Sequence, residues 1–430
     1  MIGRSFAAPA DGEALRRWTG VGLLFLAAVY FGRQVLLPWF RLESYVGDFV
    51  AYLEAARALA AGRSPYTVGT FLYPPPLAFV LIPLADFSDL AARQVWFWIS
   101  QVSLLGAAVV VWRWLGGDRI ALVAVFSVWA LAGTVQENLV LGQVQPLLLL
   151  WFSAALWRVG QRPAGAMAWI GLAGAFKIWP AVLCGVAALQ KRWRALLVGA
   201  VVGGGLVLAS QGLLVAISEP PYRSASAGFT YGSPATPNLS APAIALRLAT
   251  VANAGERPVG YWARGTDSAR FRLSPGLARL SLGVALLVGL LAGGVLWMHR
   301  SLPPDRLLLA ALSFALVALP ISWYHYQLLQ FPALAWLLAR ALRGRRWWSV
   351  GGVVLLGFGL TGGFRLGRVF SWVGLPPEEV VGALWVATSV VALGATALGV
   401  WVLRATGRGR GDRPARGART RRISDSPSGG

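Results

Sequence analysis

Apolar runs that approach or exceed the length of a bilayer crossing recur from one end of this chain to the other, and that recurrence leaves it few folds. A helix needs roughly 20 apolar residues to cross the hydrocarbon core. Windows of this kind do not stop after one or two, as they would in a soluble protein with an anchor, and the mean hydropathy over all 430 residues is +0.61. The expectation is an all-α polytopic membrane protein of about 12 transmembrane helices. Twelve spans are read: Trp18–Leu37, Val95–Trp114, Arg119–Gly133, Val144–Trp157, Ala164–Ala175, Ile178–Leu189, Ala195–Ile217, Leu277–Trp297, Arg306–Leu319, Tyr326–Leu342, Ser349–Leu360 and Val381–Arg404. The pair on either side of Lys177 reads equally well as one long broken helix.

The net charge of +22 would suit a nucleic-acid binder. Its distribution points instead to membrane topology, so no nucleic-acid partner is expected. Basic residues sit between the apolar runs and in the tail "RATGRGRGDRPARGARTRR" at 404–422. With the N-terminus inside and alternating crossings, each short inner loop is basic: Arg113/Arg119, Arg158/Arg162, "KRWR" at 191–194, Arg300/Arg306, and Arg340 with "RGRR" at 343–346. Both ends then face the cytoplasm. The expected organisation is a cytoplasmic N-terminus (1–17), a membrane domain (18–404) and a basic disordered tail (405–430). The first run reads as an uncleaved signal anchor. Cys184 is the sole cysteine, so no internal disulfide exists; within an apolar run it reads as a small core residue.

The same topology gives the outer face two long segments, 38–94 and 218–276. It also collects the unusual polar residues there: Asp48, Glu137, Asn138, Gln143, Lys177, Asn238 and His325. In "DFVAYLEAARALAAG", Phe49, Tyr52, Leu53, Ala56 and Leu59 form one stripe at helical spacing, with Glu54 and Arg57 opposite and Gly62 as a stop. This predicts an amphipathic helix along the membrane surface. "YPPPLAFVLIPLADF" is too short to cross and suits a re-entrant or interfacial segment.

Each polar residue has a plain reading beside a chemical one. Asp48 opens the surface helix, where a carboxylate caps free N–H groups; it is also suited to general-base work. "ENLVLGQVQP" reads as a polar loop. Lys177 lies between apolar runs near Pro180, either snorkelling to the interface or meeting an anion such as phosphate. His325, in "ISWYHYQLLQFP", is either an interfacial residue among belt aromatics or a donor at the bilayer surface. "GGG" at 203–205 reads as helix packing. The chain has no P-loop, no Cys/His metal spacing and no nucleophile elbow, so no metal or other cofactor is expected.

Five pieces in series resemble glycosyltransferase family 87, a family with the GT-C membrane fold: "GDFVAYLEAARALAAGRSPY" (47–66), "YPPPLAFVLIPLA" (73–85), "NLVLGQVQPLLLLW" (138–151), "AGAFKIWPAVL" (173–183) and "LPISWYHYQLLQFP" (319–332). "SPATPNLSAPAIALRL" (233–248) resembles the family's Asn-x-Ser segment more loosely, at Asn238 and Ser240. The resemblance implies transfer of a hexose, often mannose, from a polyprenyl-phosphate donor to a hydroxyl of a glycan or glycolipid acceptor. The reaction would take place on the non-cytoplasmic face, with inversion. It implies Asp48 as catalytic base. Lys177 and His325 are the candidate contacts to the donor phosphate, and Tyr66, Tyr73, Glu137, Asn138, Gln143, Trp323 and Tyr326 line the substrate. If His325 acts as a cation, activity falls as pH rises through its pKa, while the Lys177 contribution persists to higher pH. The rival classes are a transporter or flippase for a lipid-linked sugar and a purely structural membrane subunit.

Overall fold

The computed structural model of the protein describes residues 10–43, 47–68, 71–216, 240–253, 275–319, 322, 324–346, 348–354, 394 and 396–405. Every regular element among them is helical. Half of the span expected at 349–360 and more than half of that at 381–404 lie outside these residues, as do Trp323, Asn238, most of the loop 218–276 and the tail beyond Ala405.

Helix α1 (Ala10–Tyr30) runs through a π-helical stretch, Phe31–Leu36, to Trp39. Next come α2 (Phe49–Ala60), the short α3 (Pro75–Leu81), α4 (Asp89–Trp114), α5 (Arg119–Leu131), α6 (Gly133–Leu141), α7 (Gln145–Arg158) and α8 (Pro163–Phe176). A 3-10 turn, Trp179–Cys184, leads to α9 (Gly185–Leu189) and α10 (Trp193–Ala216). Helices α11 (Ala241–Asn253), α12 (Pro275–Met298) and α13 (Pro304–Ala318), a 3-10 turn at Tyr324–Gln330 and α14 (Phe331–Arg343) follow.

Four helices among the described residues are long and apolar enough to cross a bilayer: Thr19–Trp39, α4, α10 and Gly276–Met298. The pair α5–α6, bent by 54°, makes a fifth if it is one span. The count of about twelve is therefore not reached by these residues. Several of the remaining apolar runs form shorter helices. Helix α8 has 14 residues and α14 has 13, about 20 Å at 1.5 Å per residue. Both are largely buried, α8 against α7 and α10, and α14 against α5. A buried helix and a spanning helix carry the same apolar composition, so hydropathy does not separate them.

Two features hold the bundle where the chain bends. The first is the break at Ala132, whose backbone is extended (φ −73°, ψ 126°) and leaves carbonyls of α5 without helical partners. In an apolar interior such groups need donors. The fully buried Gln34 donates to the carbonyls of Ala130 (3.1 Å) and Ala132 (3.0 Å), and Arg33 to that of Leu131 (2.9 Å). Gln34's own carbonyl accepts from Gln101, whose oxygen accepts from the Tyr30 hydroxyl. The second is the packing of α8 on α10. A Cβ on Gly203 would lie 2.7 Å from the Gly171 carbonyl oxygen, so only hydrogen fits there. The expected packing role of "GGG" thus holds at Gly203, whereas Gly204 and Gly205 face open space. Gly203→Val is expected to lower the thermal midpoint of the detergent-solubilised protein through overpacking of about 1–3 kcal/mol or more. Gly204→Val should leave the midpoint unchanged. Equal midpoints for the two variants would contradict the contact.

The helix that the sequence predicts from Asp48 is present as α2. Its five stripe residues are all buried, with Ala55 and Ala58 beside them, and Glu54 is exposed. Arg57 spans to the turn before α4, donating to the Ala85 and Phe87 carbonyls and pairing with Asp89 at 2.7 Å. Helix α3 begins at Pro75, where a proline loses no helical hydrogen bond, and packs against α2, α8 and α10. The stretch expected as a polar loop, 136–146, is instead mostly helix. Residues 133–141 form α6, in which Gln136 and Asn138 are buried.

Candidate active site

Asp48 stands at the N-terminus of α2 but does not cap it. Its side chain makes no hydrogen bond to the helix N–H groups. The carboxylate turns the other way, and Oδ2 accepts from the Gln143 amide. This separates the two readings that the sequence leaves open, in favour of a carboxylate held for another purpose. Solvent reaches Asp48, yet the protein crowds it from beneath, and that desolvation raises its pKa above the ordinary carboxylate value. The Lys177 charge and the Gln143 hydrogen bond act in the opposite sense.

Lys177 sits where α8 ends. Its backbone is extended (φ −151°, ψ 112°), and the chain turns at once into the 3-10 turn that begins at Trp179. The side chain is 7% exposed and its Nζ has no hydrogen-bond partner. What surrounds the ammonium is aromatic. The Tyr326 ring centroid lies 3.9 Å away and that of Tyr73 5.2 Å. Trp179 lies nearly parallel to Tyr326, at 14° and 6.2 Å. Ring faces attract a cation but leave its N–H bonds unused. Among the described residues no ion pair joins Lys177 to Asp48, although each feels the other's charge. Burial brings the lysine's pKa down to about 7, with Asp48 opposing the shift.

His325 is the second residue of its turn, beside Tyr326 with ring centroids 5.0 Å apart, and is buried. Its backbone carbonyl accepts from the Asn138 amide at 2.9 Å; the same amide also reaches the Thr134 carbonyl. Desolvation first, and Lys177 second, hold the imidazole well below its usual pKa. A cationic histidine with the longer-lived charge on lysine was one expectation. The environment keeps that order but lowers both: His325 is neutral near pH 7, and Lys177 is the group that titrates there.

The residues expected in the site divide into groups. Asp48, Tyr73, Gln143, Lys177, His325 and Tyr326 come together in one cluster. Tyr66 stands behind it, donating to the Tyr73 carbonyl at 3.0 Å. Asn138 is fully buried; its Nδ2 donates to the Thr134 and His325 carbonyls and so holds the His325 turn, while its Oδ1 has no hydrogen-bond partner. Glu137 is half-buried on α6. Ser240 is buried and caps α11 through the Ala243 N–H. Sequence reasoning missed two members. Tyr52 joins the cluster through its hydroxyl, and the signal was a lone phenol in an otherwise apolar stripe. Trp179, directly after "KI", backs Tyr326.

The arrangement places a carboxylate and an unneutralised cation in one aromatic-lined site, at turns between helices. A comparison with known proteins bears on its use. The family described as Glycosyltransferase family 87 matches residues 71–322, more than half of the chain. This chain belongs to glycosyltransferase family 87. The match takes in Tyr73, Gln143 and Lys177, while Asp48 and His325 fall outside its limits. The family-87 chain is also similar to GPI mannosyltransferase 1 of Aspergillus oryzae, 32% identical over 173 residues. That alignment covers 37% of this chain and 40% of the fungal protein, so it spans well under half of either. The chain thus combines membership of a glycosyltransferase family with helices long and apolar enough to cross a membrane.

Proposed function

We propose that the enzyme transfers a hexose, mannose foremost, from a polyprenyl-phosphate donor to a hydroxyl of a glycan or glycolipid, on the non-cytoplasmic face of the cell membrane. The fold would be the GT-C type of its family, with both termini cytoplasmic. The observation that carries this reading is the buried Lys177 ammonium, which has no hydrogen-bonding acceptor and lies near, but not on, a carboxylate. A cation kept free beside ring faces suits an anion that arrives with the substrate. A lipid-borne phosphate matches a site at helix ends in a membrane protein.

The chemistry follows from the positions. The acceptor O–H gives its proton to Asp48 as its oxygen attacks the anomeric carbon. The bond from that carbon to the phosphate oxygen breaks, and the electron pair leaves with polyprenyl phosphate. Lys177 stabilises the new anionic charge, and neutral His325 donates one N–H. A single in-line displacement inverts the anomeric centre. The aromatic rings of Tyr73, Tyr326 and Trp179 shape the site around the sugar. The fungal relative, named for mannosyl transfer, supports mannose as the first sugar to try. A transporter would move the lipid-linked sugar intact, and membership of a glycosyltransferase family weighs against it.

The test is turnover by the purified protein in lipid nanodiscs, given radiolabelled polyprenyl-phosphate mannose and a mixed glycolipid fraction. Label is expected in a new glycoconjugate, with free polyprenyl phosphate released in equal amount. Movement of intact donor across vesicles with no new product would establish the carrier instead.

A further inference from the structure

We propose that Gln143 is the positioning residue for Asp48, and that Tyr73, Tyr52 and Gln143 form a one-way chain of hydrogen-bond donors ending on the carboxylate. This deepens the reading above and rests on Asp48 being the base.

The placement of Gln143 is built into two backbones that touch. Gly142 ends α6 in the left-handed region (φ 65°, ψ 40°). A Cβ there would lie 2.5 Å from Phe49 Cβ, and one on Gly47 would lie 2.5 Å from the Leu141 carbonyl oxygen. The residues on both sides of Asp48 are thus pressed against the two residues before Gln143. Trp96 fixes the same turn through its indole N–H, which donates to the Gly142 carbonyl at 2.8 Å. Gln143 is fully buried, and both ends of its amide are in use.

The direction of the chain follows from what each group is able to donate. A carboxylate only accepts, so Gln143 presents Nε2 to Asp48 and Oε1 to the Tyr52 hydroxyl, 3.3 Å away. An amide oxygen also only accepts, so the single Tyr52 proton is placed on it. The Tyr52 and Tyr73 oxygens are 2.8 Å apart; with the Tyr52 proton committed, Tyr73 supplies the proton between them. Tyr66 holds Tyr73 from behind. Two consequences follow. Donors aimed at Oδ2 favour the ionised carboxylate against its desolvation. Oδ2 is also occupied, which leaves Oδ1 to take the acceptor's proton. Tyr73 joins both halves of the site, since its ring face flanks Lys177 while its hydroxyl starts the chain.

The experiment compares Gln143→Met and Tyr52→Phe with wild type, in nanodiscs, by pH profiles of kcat/KM and by thermal unfolding. Losing one hydrogen bond to a charged group should cost Gln143→Met about 10–100-fold in kcat and move its acid limb up by about one to two pH units. Tyr52→Phe should move the same limb the same way by less, and KM for the donor should change little in both. An unmoved acid limb in Gln143→Met, with kcat unchanged or falling only with the folded fraction, would overturn the positioning role. Activity in Asp48→Asn would sink the base assignment itself, a separate failure from an unmoved limb in Gln143→Met alone.

Discussion

Asp48→Asn is expected to fold and unfold as wild type does while losing about 10²–10⁴-fold of its turnover, the range that a general base supplies. The substitution keeps the size and shape of the side chain and removes its basicity. Because Asp48 does not cap α2, loss of the charge leaves that helix end unaltered. Asparagine's oxygen still accepts from Gln143, so the local contact survives the change. The donor should bind this variant normally, because the phosphate contacts lie on other residues. Turnover within a few-fold of wild type would remove the base from Asp48.

The second large effect concerns Lys177. Lys177→Met should lower kcat about 10²–10³-fold, the usual cost of removing one donor aimed at developing negative charge. Donor KM should change less, since the charge builds up as the phosphate departs. The pH dependence carries a sign. The ammonium is the useful form and its pKa in the free enzyme is about 7, so kcat/KM should fall as pH rises through that value. Asp48 must be ionised, and its raised pKa sets an acid limb above the ordinary carboxylate range. The profile is therefore bell-shaped and narrow. Lys177→Arg keeps the charge at every accessible pH, so whatever activity it retains should lack the alkaline limb. An alkaline limb that persists in Lys177→Arg would assign it to another group. His325 should contribute no limb near neutrality, because it is already neutral there.

Much of this was legible in sequence, and the losses have specific causes. The stripe of α2 was readable because helical periodicity is local, and all five expected residues are buried. Asp48, Lys177 and His325 do gather, as they would if arginine-rich loops marked one side of the membrane and these residues the other. What topology does not carry is orientation. Whether Asp48 caps its helix or leaves it is decided by Gln143, 95 residues away. Spacing also does not show that Asn138 ties two backbone carbonyls together, one of them in a turn 187 residues on. That Lys177 titrates near neutrality and His325 below it was not legible, because both shifts come from burial, which spacing does not reveal. The bend at Ala132 was hidden as well. Its signature is a buried glutamine in the π-helical stretch after α1 that serves the freed carbonyls, far along the chain from the break itself.

The most direct measurement is the position of the phosphate. A cryo-electron-microscopy structure of the enzyme in nanodiscs with bound polyprenyl phosphate should show a phosphate oxygen within about 2.7–3.2 Å of Lys177 Nζ. The same phosphate should lie within reach of the His325 ring, with Asp48 across the sugar's space and Gln143 still on its Oδ2. A phosphate bound elsewhere, at the arginines of the short loops or away from Lys177, would contradict the account.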